Sequence, residues 1–521
     1  MAGRDQGGAQ AELEFDDVAP DASAMIESMR AHGYTLATAI ADLIDNSIAA
    51  ESQNVWLRFE WEGPDSWVSV VDDGIGMSEA ELVQAMRLGS RSPLEERAAT
   101  DLGRFGLGLK TASFSQARRL TVITRPTPDR TFVRRWDLDH LARPKVKGWQ
   151  LLRSIHADTG DRAGLLDEMG VKRGTQVLLE VLDRVTEQGT STNKTEDQED
   201  HFVWETNRVQ EHLAMVFHRF LAKKVGGLKI HLNGEPIEPW DPFLENHKAT
   251  QLIGEYPREL TGHDTPIRVT GLVLPHRDRF KSIAQHRMAG GPEGWNAQQG
   301  FYLYRGGRLI ISGSWLQLGW QKEEHFKLAR LRLDIPNTMD QEWQIDVKKS
   351  TAAPPAVLRE WLRGIAQQVR KQAKEVYAHR GKYRARKRTE EIQPRPWKTV
   401  TGAGGEFSYR IDRKHPVLGP LIRSLPPSGR AELEALLRLI EETVPVQRIW
   451  IDTAENQDGA ALPFATEQPG ELRSILLICH QAIIKHHSVD PKEAWDILST
   501  FDGFQGSDAR AIIAQIREEN G

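Results

Sequence analysis

Asp42 and Asn46 stand one helical turn apart in the run Tyr34 to Ala50, YTLATAIADLIDNSIAA. A carboxylate and an amide at i and i+4 share one face of a helix. Asp45 and Ala49 fall on that face too, at i+3 and i+7 of Asp42. Leu36, Ala39, Ile40, Leu43 and Ser47 form the opposite, core-facing stripe. Alone, such a polar face is simply solvated. Two glycine-bearing loops downstream change its meaning: Asp72-Asp73-Gly74-Ile75-Gly76-Met77 and Gly103-Arg104-Phe105-Gly106-Leu107-Gly108-Leu109-Lys110-Thr111.

Together the three stretches can make a nucleotide pocket. The anionic tail of a nucleoside triphosphate needs a cradle of backbone N–H groups, and a helix N-terminus adds a favourable dipole. Gly103, Gly106 and Gly108, running into a helix over 109–117, supply both, and Lys110 adds a point charge. Magnesium takes oxygen ligands, with one or two from protein. Asn46 can give one, and Asp42 can orient or deprotonate an attacking water. Asp72, at the end of a strand, can accept a hydrogen bond from the adenine amino group, while Gly74 and Gly76 leave room for the base. The second loop is not a P-loop. Leu109 separates Gly108 from Lys110, and the preceding EERAATDL is no buried strand.

The elements that must position these residues can be read from periodicity. Helices are expected over 23–31 and 34–50, then strands over 54–61 and 67–71, the second running into the Asp72 loop. Ser78 caps a short helix whose first turn holds Glu79 and Glu81. Strands follow at 120–124, 132–136 and 176–180, the last preceded by Gly174-Thr175. This alternation predicts an α+β sandwich. The polar stretch 186–200 reads as a loop or linker. Beyond it come an amphipathic helix through Val209, Leu213 and Val216, and a strand over 228–232 ending in Asn233-Gly234. Strands are expected at 267–274, 300–304, 309–311, 328–335 and 343–347, and a helix over 355–378. Helices near 429–443, 470–487, 489–500 and 507–519 complete the chain.

The chain has 521 residues, room for about three domains. The expected division is a disordered tail (1–22), an ATP-binding domain (23–185), a polar linker (186–203), a second α+β domain (204–378), a basic linker (379–400) and a mostly helical C-terminal domain (401–521). A net charge of −5 excludes a chain that is basic throughout. Nucleic-acid contact then falls to a local patch, and Val369 to Arg388 carries nine Lys or Arg against one Glu. Cys479 is the only cysteine, which excludes an internal disulfide framework and fits a reducing cytoplasm. No apolar run approaches a membrane span, and no signal peptide is read at the start. His480, His486 and His487 lie without a nearby carboxylate, so they do not predict a metal site.

The helix, DDGIGM and GRFGLGLKTAS, in this order and spacing, resemble the GHKL ATPase superfamily of gyrase, heat-shock chaperone, histidine kinase and MutL proteins. The resemblance covers residues 25–185 and implies the Bergerat α/β sandwich, with ATP and magnesium as ligands. It makes Asn46 the magnesium ligand, Asp72 the adenine acceptor, Gly103, Gly106 and Gly108 the lid glycines, and Thr175 a residue near the adenine. Within the superfamily the chain is similar to the MutL- and MORC-like branch, through LGSRS at 88–92 and the lysine after the glycines. NGEPIEPWDPF, GFYLYRGGRLI and WQIDVKKS look like the S5-type transducer of those proteins. There a lysine reaches the γ-phosphate, and Lys349 is the first choice here, with Lys348 second. Neighbours on a strand point to opposite faces, so only one can serve.

Two departures matter. The family's base is a glutamate, where this chain has Asp42, one methylene shorter. Its usual aspartate is replaced by Ala49. The resemblance implies a slow ATPase driving a clamp that dimerises on ATP binding. Its partner would be DNA, reached through 370–388, or a helicase or nuclease, as in restriction or phage defence. No MutL-type endonuclease motif is present. A heat-shock-type chaperone and a non-hydrolysing ATP-binding scaffold are the alternatives. A histidine kinase is disfavoured, because only a short tail precedes Met25.

Overall fold

The computed structural model describes residues 20–31, 33–89, 108–186, 194–223, 225–260, 265–339, 342–345, 351–378, 396–401, 407–446, 449, 469–487, 489–499, 504 and 507–520. The chain divides into two compact units, Met1–Gly381 and Lys382–Gly521.

The first unit opens with α1 (Ala22–Arg30) and α2 (Leu36–Ala49). A capping box starts α2: the Thr35 hydroxyl accepts from Thr38 N–H, and the Thr38 side chain accepts from Thr35 N–H. There follow β1 (Asn54–Glu60), β2 (Trp67–Asp72), α3 (Glu79–Met86), α4 (Gly108–Gln116), β3 (Arg119–Thr127), β4 (Arg130–Asp137), α5 (Leu138–Leu141), α6 (Leu165–Glu168), β5 (Gly174–Glu180) and α7 (Asp183–Thr186). Next come α8 (Lys194–Val216), α9 (His218–Leu221), β6 (Lys229–Leu232) and β7 (Glu235–Pro236). These strands form one seven-stranded sheet in the order β4-β3-β5-β2-β1-β6-β7. Every pairing is antiparallel except β1 with β6.

Strand periodicity decides what the sheet covers. Val55, Leu57 and Phe59 alternate along β1 and meet Ile40, Leu43 and Ile44 of α2 in the main core. All of β2 is buried, because its other face carries Trp67 and Val71 against Leu165, Leu166 and Val171. The α+β sandwich expected from the sequence is the fold observed.

Two expectations change. The stretch read as a linker is helical from Lys194 onward. Phe202, Val209, Leu213 and Val216 anchor α8 in the main core. Its acidic first turns suit the positive end of a helix. The sheet also recruits β6 and β7, from beyond residue 203, so the first layer does not end at residue 185.

A second sheet, ordered β11-β10-β12-β9-β8, comprises β8 (Gln251–Arg258), β9 (Ile267–Val273), β10 (Gly300–Arg305), β11 (Arg308–Ser314) and β12 (Ala329–Ile335). Two short helices, α10 (Ile283–Ala289) and α11 (Gly294–Ala297), lie in the connection before β10. Leu358, Leu362, Ile365, Val369, Ala373 and Val376 make one buried stripe on α12 (Ala356–Ala378), which shares a core with this sheet. β8 was not read from the sequence. The strand expected at 343–347 is not seen in its described part: Glu342 to Gln344 form a turn, with Trp343 fully buried. In the second unit a hairpin (Trp397–Thr401 with Phe407–Ile411) and helices Leu418–Ser424, Pro427–Thr443, Pro469–His487, Pro491–Leu498 and Ser507–Asn520 are present. His480 there stacks on Trp495 and bonds the Pro491 carbonyl at 2.9 Å. The tail (1–19), the end of the basic stretch (379–395) and the side chains of His486 and His487 lie outside the described residues.

Candidate functional site

Helix α2 sets the first half of the site. Asp42 is buried while Asn46, one turn on, is exposed. The Tyr34 hydroxyl donates to Asp42 Oδ2 at 3.1 Å. The N-terminus of α4 faces the same carboxylate, for a Cβ at Gly108 would stand 3.9 Å from Asp42 Oδ2. Asp45 departs from the solvated face expected of it. It is 2% exposed, and Arg308 Nε donates to both its oxygens at 3.0 Å. The reason is tertiary: the first residue of β11 lies against this side of α2.

The second half lies where β2, β3 and β5 end together. Asp72 pairs with Thr175 across the β2–β5 ladder. Its Oδ1 accepts from the backbone N–H of Gly74 at 2.9 Å and of Thr175 at 3.2 Å. Its Oδ2 accepts from the Ser47 hydroxyl at 3.1 Å, which ties this end of the sheet to α2. Burial pushes the Asp72 carboxyl upward, and the Gly74, Ser47 and Thr175 donors oppose that shift. Thr124 Oγ1 lies 3.0 Å from Thr175 Oγ1 and accepts from Met77 N–H at 2.9 Å. Thus the Met77 end of the first glycine loop is fastened to β3, whose Thr124 meets Thr175 of β5.

The glycines here are required by the chain itself. A Cβ on Gly174 would stand 1.9 Å from the Asp72 carbonyl oxygen. Gly76 has a φ of +64°, and a Cβ there would meet the Arg125 carbonyl at 2.5 Å. At Gly74 a Cβ would stand 2.8 Å from Ala50 Cβ. The space left by these missing side chains is filled by protein atoms rather than kept for a base.

Residues 34–162 match the family described as histidine kinase-, DNA gyrase B-, and HSP90-like ATPase. This region is a GHKL domain. Over 88 residues the chain is 30% identical to ATPase morc-1 of Caenorhabditis elegans, covering 17% of this chain. It spans only 10% of that relative's length. A crystal structure of the N-terminal domain of a DNA repair protein is similar with a TM-score of 0.39 and 14% identity, over 68% of this chain and 98% of that one. The family match and the morc-1 relative support the GHKL and MORC-like resemblance read from the motifs, and ATP is the ligand the GHKL domain implies.

The described residues of the GHKL domain fit that ligand. Asp72 Oδ2 keeps acceptor capacity beyond its Ser47 bond, since a carboxylate oxygen offers about two lone pairs. The exposed amide oxygen of Asn46 is a hard donor of the kind magnesium takes. The first turn of α4 presents backbone N–H groups beside Asp42. Thr111 is buried in α4, its hydroxyl 3.5 Å from the Gly108 carbonyl.

Lys110 sits differently from the expectation. It is 2% exposed, and its Nζ donates to the carbonyls of Ala85 at 2.9 Å and Arg87 at 3.0 Å. The last carbonyls of a helix lack intrahelical partners, and Lys110 supplies them at the end of α3. Burial pushes its ammonium down to about 8. Arg370 also leaves its expected role in the basic stretch. It is buried, with its guanidinium carbon 3.9 Å from the ring centre of Phe326 and 4.4 Å from that of Trp320, and it pairs with Glu323 at 3.3 Å. Gly103, Phe105, Gly106, Leu107, Lys348 and Lys349 lie outside the described residues. Ser47, Thr124 and Arg308 were not singled out for the site from sequence. Ser47 was counted with the apolar stripe, and nothing local marks the other two.

Proposed function

We propose that the chain binds Mg-ATP in the GHKL domain and hydrolyses it slowly to drive a clamp that works on DNA or with a DNA-processing partner. The observation that carries this reading is the grouping of two sites on one helix. Ser47 of α2 bonds Asp72, and on the same helix Asp42 lies beside the N-terminus of α4 with Asn46 open one turn away.

In this reading Asp72 Oδ2 accepts the adenine amino group, with Thr175 and Met77 fixing the same end of the sheet. Asn46 would hold the magnesium ion, which when bound neutralises phosphate charge. Asp42 takes a proton from a water molecule as the water oxygen attacks the terminal phosphorus. The bond from that phosphorus to the bridging oxygen breaks, giving ADP and phosphate. The first turn of α4, with the lid glycines before it, holds the phosphates, and Lys349, or Lys348 in its place, approaches them from the second domain. Two copies associate when ATP is bound. DNA meets the exposed Lys371 and Lys374 of α12 and the basic residues that follow, not Arg370. A helicase or nuclease partner in restriction or phage defence fits such a clamp.

One observation favours a second reading, ATP binding without turnover: Asp42 is short and already bonded by Tyr34. Steady-state turnover with magnesium, with and without duplex DNA, separates the two. The clamp predicts slow turnover, lost in Asn46→Ala and stimulated by DNA. A scaffold binds ATP and releases no phosphate. A heat-shock-type chaperone would turn over ATP without salt-dependent DNA binding.

A further inference from the structure

A buried charge cluster on the Asp42 face of α2 joins the two sheets of the first unit. β10 and β11 meet in a tight hairpin at Gly306-Gly307, with Arg305 paired to Arg308. Both glycines have positive φ, +56° and +84°, as a type I′ turn requires. That turn delivers Arg308 to α2 at the first position of β11. Arg308 is 5% exposed. Its Nε holds both oxygens of Asp45 at 3.0 Å, and its Nη1 donates to the Leu309 carbonyl at 2.6 Å. Its Nη2 lies 3.9 Å from Asp42 Oδ1. The face of Phe217, between α8 and α9, lies 5.5 Å from the guanidinium carbon.

We propose that Arg308 is a positioning residue through which the second sheet controls the carboxylate of Asp42; the inference rests on the reading of Asp42 as the base for ATP hydrolysis. Two carboxylates one turn apart on a helix repel when buried. One guanidinium, fixed by Asp45, stands between that repulsion and Asp42. His212 of α8 does not share this work. Burial, Arg308 and Arg208 push its imidazole down to about 3, so it is neutral at pH 7. Arg308 ties down Asp45, while Asp42 accepts from the Tyr34 hydroxyl and faces α4. A shift of the β10–β11 hairpin would withdraw the cation and leave the two carboxylates facing each other. The position of the second sheet is thereby transmitted to the base without contact with nucleotide. A buried ion pair suits such a register role better than it suits stability.

The test is a split between turnover and binding in the full-length chain. Arg308→Ala, Arg308→Lys and Asp45→Asn are compared with wild type for kcat, for the dissociation constant of Mg-ATP and for melting temperature. A positioning role predicts that Arg308→Ala loses about ten- to hundredfold in kcat, up to the lower end of the roughly 10²–10⁴-fold that a general base contributes. Nucleotide affinity stays within about threefold, since the uniform binding terms are untouched. Arg308→Lys, which keeps the charge and loses the fork, falls between, and Asp45→Asn, which releases the guanidinium, also lowers kcat. Wild-type kcat in both Arg308 variants, or affinity and kcat falling in parallel, overturns the inference. If Arg308→Ala fails to fold, Arg308→Lys decides by the same two criteria. Asp42→Asn serves as the control. If it turns over ATP normally, the base assignment itself has failed. If it is inactive while the Arg308 variants are normal, only the present inference falls.

Discussion

Replacing Asp72 by Asn changes one oxygen of the site and little else. Oδ1 can remain the acceptor of the Gly74 and Thr175 N–H groups. The new amide nitrogen then stands where Oδ2 accepted from Ser47, whose hydroxyl can rotate to accept instead. The fold should therefore survive. What is lost is an acceptor for the adenine amino group, replaced by a donor. A hydrogen bond to a charged group contributes about 1.5–3 kcal/mol. At 1.36 kcal/mol per decade, ATP affinity should fall roughly 10- to 150-fold. A donor at that point matches the carbonyl of guanine, so GTP should weaken less or gain. Displacement of a fluorescent ATP analogue by ATP and by GTP measures both. A folded Asp72→Asn protein with unchanged affinity for both nucleotides would refute the adenine assignment and the pocket built on it.

Other predictions test neighbouring links. Gly174→Ala forces a Cβ to within 1.9 Å of the Asp72 carbonyl, so melting temperature and ATP affinity should fall together, by about 1–3 kcal/mol in stability or more. Lys110 has its pKa lowered from 10.5 to about 8, so between those values the unfolded chain holds a proton that the folded chain has released. Wild-type stability relative to Lys110→Met should therefore rise by about 1.4 kcal/mol per pH unit across that window and be flat below it, as denaturant titrations at stepped pH will show. Changing both Lys371 and Lys374 to Gln should reduce the salt slope of DNA binding by about two, with folding intact. Arg370→Gln should lower the melting temperature through loss of its aromatic enclosure.

The parts of this fold that were legible in the sequence are those set by local chemistry. The Ser78 cap, the α2 stripe, the alternation along β1 and the Asn233-Gly234 turn are written over a few neighbouring residues. So are the site's own motifs, since Asp72 follows its strand directly and Gly174-Thr175 opens the next. What was hidden lies in contacts between distant residues. Asp45 looked solvated because its partner, Arg308, is 263 residues away. The parallel pairing of β6 with β1 likewise has no local signature. Lys110 looked like a phosphate ligand because its place after the glycines says nothing of the unpaired carbonyls ending α3. The polar start of α8 looked like a loop because the residues that fix that helix come later, from Phe202 onward.

The most direct test is phosphate release from Mg-ATP by wild type and Asp42→Asn, with bound nucleotide measured on the same samples. The account predicts slow release by wild type, none above background by Asp42→Asn, and equal nucleotide bound by both. Equal release by the two proteins would contradict it, for the carboxylate between Tyr34, α4 and Arg308 would then have no part in the reaction.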